Sequence, residues 1–147
     1  MNLEKIHSSI SKAVFNLKNH TLGVSADATH VFIGDKHQVY RINRDDFLFS
    51  TTTLLIKGVK EYAVYKRIFE STPVTPAIKT GNLRDGVKPN YPFIELKAGD
   101  ELIYIDTQYL KNFDKGCTFT GTKYNTPVYV WENGECVGMV LPVIVKK

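Results

Sequence analysis

Short runs of β-branched and aromatic residues, each closed by a tight polar turn, dominate this sequence and most restrict its fold. The pair Asn133-Gly134 separates two such runs, and this dipeptide favours the left-handed backbone of a two-residue hairpin turn. Polar turns also separate the runs 21–26, 29–34 and 37–42. Consecutive strands joined by tight turns pair antiparallel, so the sequence predicts a mostly antiparallel sheet.

A helical periodicity opens the chain. Apolar residues recur every three or four positions from Leu3, which predicts an amphipathic helix over residues 3–18. Phe15 falls on the polar side of this helix, where an aromatic residue either marks a contact or is one of the scattered apolar residues found on any surface. Residues 58–70 predict a second helix. A short third helix is predicted at 107–116, with Asp106 or Thr107 as its N-cap.

The remaining segments predict further strands and one long loop. Residues 46–58 are rich in β-branched and aromatic side chains and predict one or two strands. Residues 71–92 contain four prolines and two glycines, a composition typical of a loop. Residues 93–106 predict two strands around the turn Ala98-Gly99-Asp100. This order of elements predicts an α+β fold, with two or three helices on one side of a mostly antiparallel sheet.

Length and cysteine content restrict the class of protein further. A chain of 147 residues suits a single domain that buries its own core. Its two cysteines, Cys117 and Cys136, fall in predicted strands near the end of the chain, are too few for a disulfide framework and are expected to be free thiols. No apolar run approaches the ~18 residues of a membrane helix, and the N-terminus lacks a signal core. We therefore expect a cytoplasmic protein with no membrane partner.

No motif in the sequence assembles catalytic or metal-binding chemistry. The four histidines do not pair with other ligands at zinc-site spacings, and phosphate-binding glycine loops are absent from the sequence. The acidic pairs Asp45-Asp46 and Asp100-Glu101 fall in predicted turns, where acids are common for local reasons. We expect no catalytic residues, no metal and no cofactor. A small enzyme with an unrecognised site stays as a third, less favoured alternative.

Basic residues are distinguished more by position than by number. The net charge of +4 permits a polyanionic partner without requiring one. Lys5 and Lys12 share the outward face of the first predicted helix, and Lys111 and Lys115 share a face of the short one. Such lysines either form a surface that binds DNA phosphates weakly, or they are the ordinary lysines found on any solvent-exposed helix.

Three short motifs in the C-terminal third carry a likeness to a known family. They are Tyr109-Leu110, Thr126-Pro127-Val128 and Leu141-Pro142-Val143. In this order they resemble the end of the last domain of bacterial DNA polymerase sliding clamps. The likeness covers residues 93–145 and extends loosely to the first helix and the strands after it. It implies a single DNA-clamp-like domain over residues 1–147, with residues 58–92 as an insertion.

The resemblance implies a non-enzymatic processivity factor for DNA replication that surrounds duplex DNA without reading its sequence. Sliding requires affinity without a preferred register, which diffuse charge on rigid helices supplies. Clamps close a ring of six domains, so this chain would act as a homo-oligomer. The resemblance assigns DNA contacts to Lys5, Lys12, Lys111 and Lys115, and partner-peptide binding to Leu141, Pro142 and Val143.

The alternative hypothesis is a small phage or mobile-element module that binds and modulates a host protein. Its natural anchors are the aromatic residues Phe15, Tyr65 and Tyr124, because large aromatic side chains dominate binding energies at interfaces. This hypothesis predicts a monomer without DNA affinity. The clamp hypothesis predicts an oligomer whose duplex binding weakens steeply with salt.

Overall fold

The computed structural model describes residues 1–16 and 20–145, and the chain divides into two compact units, Met1–Ser71 and Thr72–Lys147. Helices and mostly antiparallel strands occur together, which confirms the predicted α+β class. The single clamp-like domain with an insertion at 58–92 stays a prediction. In the described part of the chain, no helix is long and apolar enough to cross a membrane.

The first unit combines short helices with four strands of a mixed sheet. Its strands lie in the order β4-β1-β2-β3, and only the pair β1 and β4 is parallel. The elements in chain order are α1 (Leu3–Ser11), a π-helical segment (Lys12–Asn16), β1 (Gly23–Ala26), β2 (His30–Gly34), β3 (Gln38–Asn43), a 3-10 turn (Arg44–Asp46), α2 (Thr51–Ile56), β4 (Lys60–Glu61) and α3 (Ala63–Ile68).

Helix α1 forms as its periodicity predicts. The Asn2 side chain accepts a hydrogen bond from the Lys5 backbone N–H at 3.1 Å and caps the helix. Ile6, Ile10 and Val14, spaced four residues apart, are all buried. The last two residues of the predicted helix, 17 and 18, lie outside the described residues. The apolar stripe therefore anchors the first helical segment to the core of its unit.

The prediction of strands over residues 46–58 is wrong, because this segment contains helix α2. Ser50 supplies an N-cap, with its hydroxyl accepting the Thr53 backbone N–H at 3.4 Å. Leu54 is fully buried, so one side of the helix packs against the core. Capping and this burial outweigh the weak strand preference of the threonines. Helix α3 is also shorter than predicted, because Gly58, at φ +96°, and strand β4 precede it.

The second unit contains two antiparallel groups of strands. One has the order β5-β6-β7 and the other includes β10-β9-β8. Asn133 and Gly134 have φ values of 51° and 79°, which confirms the predicted hairpin between the last two strands. The strands are β5 (Ile78–Lys88), β6 (Tyr91–Ala98), β7 (Glu101–Asp106), β8 (Thr118–Thr120), β9 (Val128–Glu132) and β10 (Glu135–Val140).

The loop predicted at residues 71–92 is instead largely a β-hairpin. Strand β5 runs for eleven residues and pairs with β6, which begins at Tyr91. Pro89 lies in the turn between them, and Pro92 is the second residue of β6. The prolines thus fall before a strand, in the turn or near a strand end, where they interrupt little of the pairing. The glycines, Gly81 and Gly86, fall where the β5–β6 register shifts.

The predicted helix at residues 107–116 is reduced to one 3-10 turn, Thr107–Tyr109. Asp106 caps this turn as expected, accepting the Gln108 backbone N–H at 3.0 Å. The following residues form turns, and Asp114 donates its backbone N–H to the Glu132 side chain at 2.8 Å, which ties this segment to β9. Lys111 and Lys115 therefore occupy turns and do not share a helical face.

Neither cysteine forms a disulfide, which confirms the predicted thiols. Cys136 is buried in β10, whereas Cys117 is half-buried just before β8. Burial raises the pKa of the Cys117 thiol. A raised pKa keeps a thiol protonated at neutral pH and therefore poorly nucleophilic, so both side chains act mainly as small apolar groups.

Candidate binding surface

Four aromatic side chains in the first unit form a continuous cluster that starts in the core and ends at the surface. The buried His7 ring lies 5.6 Å from the Phe47 ring and 5.7 Å from the Phe49 ring, measured between centroids. Phe47 and Phe49 are 5.8 Å apart, and Phe49 lies 6.3 Å from Phe15. Rings at these separations attract one another, so the cluster links helix α1 to the segment that follows β3.

His7 fixes this segment with a directional contact. Its Nε2 accepts the backbone N–H of Leu48 at 3.3 Å. Burial lowers the pKa of His7, and a hydrogen bond with the Leu3 backbone opposes this effect. The ring is therefore neutral at neutral pH, and its acceptor nitrogen faces Leu48. This hydrogen bond, together with the ring contacts of Phe47 and Phe49 on either side of it, holds residues 47–49 in place.

Exposed apolar side chains occur in this cluster and in the residues around and after it, and four of them are called the apolar patch here: Phe15, Leu48, Leu55 and Ile56. Leu48 and Ile56 are each 78 % exposed, and Phe15 is 46 % exposed. Lys57 follows Ile56 in the chain, and its Nζ lies 6.0 Å from the centroid of the Phe15 ring. Phe15 is therefore contacted from one side by Phe49 and from another by a cation.

The backbone explains why Phe15 is exposed next to a buried neighbour. Val14 is buried and closes the apolar stripe of the first helical segment, so the following residue points away from the core. Both residues lie in the π-helical segment Lys12–Asn16. Single π turns are rare, and they occur frequently at functional sites. The local geometry thus presents the Phe15 ring at the surface, as its position on the polar side of the predicted helix suggested.

The structure places the predicted DNA-contacting lysines in different kinds of segment. Lys5 and Lys12 are exposed on the first helical segment, as expected. Lys111 and Lys115 are exposed in turns of the second unit. Lys111 and Lys115 therefore do not share a helix face, which was the reason for grouping them. Their contact with DNA stays a prediction.

The segment predicted to bind partner peptides follows strand β10. Leu141 is exposed, whereas Pro142 and Val143 are half-buried. Val143 donates its backbone N–H to the Tyr104 carbonyl at 2.8 Å and forms an isolated bridge with β7. This bridge fixes the segment on the side of β7 away from β6. Peptide binding by these three residues stays a prediction.

Two of the three predicted aromatic anchors are exposed, namely Phe15 and Tyr124, whereas Tyr65 is only 8 % exposed. The Tyr65 hydroxyl donates to the Asp35 carbonyl at 3.3 Å, and its ring packs edge-on against Tyr62 at 5.4 Å. Tyr65 is therefore a buried residue of α3, and its assignment as an anchor is wrong.

Leu48 and Ile56, the two most exposed members of the apolar patch, were not predicted from the sequence. The available signal was the pair of apolar residues Leu55 and Ile56 directly after Leu54. A helix that packs one side against a core cannot bury three consecutive side chains. Interpreting the segment as a strand hid this signal.

A concave region of the first unit is polar. It encloses about 480 Å³ between Ala28, Thr29 and residues 43–46. The Asp27 carboxylate accepts the backbone N–H groups of Thr29, at 2.8 Å, and of His30, at 2.7 Å, which closes the adjoining turn. Within residues 1–16 and 20–145, no group of three or more His, Cys, Asp or Glu is placed to hold a metal ion.

Comparison of the chain with protein-family profiles, with curated protein sequences and with solved structures finds no match. The surfaces described above must therefore be interpreted from their own chemistry.

Proposed function

We propose that this protein is a non-enzymatic interaction module that docks a protein partner on the apolar patch. The observation that carries the proposal is the high exposure of Leu48 and Ile56, which directly precede Phe49 and Lys57, the two residues that contact the Phe15 ring. Single exposed apolar residues are ordinary, whereas a group of them marks an interaction site. A ring fixed before binding loses little further conformational entropy when the partner arrives.

The charges around the patch indicate the kind of partner. Lys12 is exposed three residues before Phe15, and Lys57 extends over the Phe15 ring. An interface of this type has an apolar centre and a charged rim. The partner is therefore expected to offer an apolar side chain to Phe15, with carboxylates beside the two lysines. Rim charges of this kind mainly raise the association rate and make it depend on salt.

A photo-cross-linking residue at position 48 tests the proposal in the native host. Val74 is 88 % exposed in the second unit and provides the matched control position. We expect position 48 to cross-link to a defined protein that position 74 does not reach. With that protein purified, Ile56→Glu is expected to raise the dissociation constant at least tenfold, which is about 1.4 kcal/mol. Val74→Glu should change it less than twofold.

Two outcomes would overturn the proposal. Identical cross-links from positions 48 and 74 would show that the patch selects no partner. Binding to lipid vesicles that is lost in Ile56→Glu, with no protein cross-link, would assign the patch to a membrane surface instead. Circular dichroism of each variant separates these outcomes from misfolding, because Ile56 and Val74 are both largely exposed.

A second candidate function is the clamp-like association with duplex DNA, as a homo-oligomer. It is supported by the exposed Lys5 and Lys12 on the first helical segment. Fluorescence anisotropy with a labelled duplex tests it. We expect weak binding that falls steeply between 50 and 200 mM salt. The double variant Lys5→Glu/Lys12→Glu should abolish it, whereas Lys36→Glu, at another exposed lysine, should not. A monomeric solution mass without duplex affinity would eliminate this candidate.

A further inference from the structure

A buried carboxylate organises one face of the sheet β5-β6-β7 in the second unit. Glu95, in β6, is 8 % exposed. Its Oε1 accepts hydrogen bonds from the Thr80 hydroxyl at 2.8 Å and from the Asn82 amide at 3.0 Å. Its Oε2 accepts from the Tyr104 hydroxyl at 2.7 Å. These bonds lower the pKa of Glu95, with Tyr104 as the largest cause, so the carboxylate is ionised at neutral pH.

A bulge in β5 brings two of these donors to the same carboxylate. Lys79 pairs with Leu96 and Leu83 pairs with Ile94, so residues 80–82 all lie opposite Glu95. Gly81, at the centre, has φ +90°, a conformation that other residues rarely adopt. This distortion turns both Thr80 and Asn82 towards β6. Bulges commonly redirect side chains in this way.

The network continues from Glu95 to a cation. Because Tyr104 donates its hydroxyl proton to Glu95, its oxygen is available as an acceptor, and the Arg84 Nη2 donates to it at 3.4 Å. The guanidinium carbon of Arg84 lies 4.9 Å from the centroid of the Tyr104 ring. The Arg84 side chain is exposed, and its guanidinium contacts both the ring and the hydroxyl of Tyr104.

Arg84 and Lys97 lie on the same face of the sheet. Arg84 pairs with Phe93, and Lys97 pairs with both Ile78 and Leu102. Since alternate residues of β6 share a face, Phe93, Glu95 and Lys97 point in one direction. The Arg84 guanidinium shares this face with three exposed side chains, those of Lys97, Ile78 and Leu102.

We propose that Arg84 is an oxyanion-binding residue, held in position by Tyr104 and Glu95 to receive a carboxylate or phosphate group. A guanidinium presents parallel N–H donors that match two oxygens of one oxyanion. Contact with Tyr104 uses only part of its donor set, and the remaining N–H groups are available on an exposed side chain. Lys97 adds a second positive charge on the same face of the sheet. This site lies in the second unit and does not depend on the apolar patch.

The proposal is tested by following arginine Nε–Hε resonances during titration of the full chain with sodium phosphate or, separately, sodium acetate at constant ionic strength. We expect a saturable shift of Arg84 with an affinity of about 1 mM or tighter. The matched control is Arg67, an exposed arginine of α3, which should not saturate. Tighter binding of phosphate identifies a phosphorylated ligand, and tighter binding of acetate identifies a carboxylate ligand.

Two variants test whether binding requires the oriented guanidinium of Arg84 or only its positive charge. Arg84→Lys retains the charge but removes the planar donor pair, and we expect an affinity at least fivefold weaker by chemical-shift titration of backbone amides. Tyr104→Phe keeps the ring but removes the hydroxyl, and should weaken binding about threefold. Equal affinity in Arg84→Lys, or a linear response of Arg84 like that of Arg67, would overturn the proposal. Arg84 is exposed, so Arg84→Lys tests it even if Tyr104→Phe misfolds.

Discussion

Replacing Phe32 by alanine is expected to lower the free energy of unfolding by about 3–5 kcal/mol. Phe32, in β2, is only 2 % exposed, and its ring stacks on that of Phe69 at 5.3 Å. The substitution removes this apolar area from the core and leaves a cavity that the sheet cannot fully close. Urea denaturation followed by circular dichroism measures the loss.

Phe15→Ala is the matched control, because it makes the same chemical change at an exposed position. Its side chain contacts Phe49 and Lys57 but leaves little cavity when removed, so the loss should be about 1 kcal/mol or less. Similar losses from the two variants would contradict the assignment of Phe32 to the core and Phe15 to the surface. A small stability loss in Phe15→Ala also makes it a suitable variant for binding assays.

His7→Ala is expected to destabilise the protein by about 2–4 kcal/mol at neutral pH. The change removes a buried ring that contacts Phe47 and Phe49, and it leaves the Leu48 backbone N–H without its acceptor. Hydrogen exchange at Leu48 reports the second effect directly. Rapid exchange of Leu48 in the variant, with α1 still protected, is the expected pattern, whereas unchanged exchange would mean that His7 does not hold this segment.

The same histidine makes stability depend on pH in a defined direction. Burial lowers the pKa of folded His7, so between this pKa and the ordinary value of about 6.5 the unfolded chain binds more protons. The stabilising contribution of neutral His7 is therefore fully present above pH ~6.5 and is lost as the pH falls through the folded pKa. The charged residues of the neighbouring segments are all exposed: Glu4, Lys5, Arg44, Asp45, Asp46 and Lys57.

His7→Gln isolates this effect, because the amide oxygen can accept the Leu48 N–H but does not titrate. Unfolding curves between pH 7 and pH 5 should show a smaller loss of stability in His7→Gln than in the wild type. Asp27 and Glu95 have lowered folded pKa values, so their stabilising contributions are lost only in more acidic solution. Equal losses in both proteins would assign the pH dependence to groups other than His7.

Backbone preferences and hydrophobic periodicity predicted the fold correctly where tertiary packing favours the same local structure. The Asn133-Gly134 turn and the helix that starts at Leu3 were recognised because backbone preference and periodicity agree there. The hairpin of β5 and β6 was not recognised, because proline and glycine content does not show where in a strand these residues fall. Helix α2 was missed because the Ser50 cap and buried Leu54 outweigh its β-branched composition.

The candidate binding surfaces were predictable to different extents. The exposure of Phe15 follows from its place in the helical repeat alone. The apolar patch also depends on the contacts of Phe49 and Lys57 with Phe15, and on the hydrogen bond between His7 and Leu48, which lie 41 residues apart in the sequence. The oxyanion site depends on the register of three strands, and no short motif encodes it.

The bulge opposite Glu95 also affects how the protein behaves in concentrated solution. Strand β5 is an edge strand of its sheet, and Ile78, Leu83 and Val87 on it are exposed. A long, flat edge of this kind would template the strands of other molecules and promote fibre growth. The bulge around Gly81 interrupts the regular row of backbone N–H and C=O groups that such growth requires. The bulge that directs Thr80 and Asn82 to Glu95 is therefore expected to oppose edge-to-edge association of the protein at high concentration.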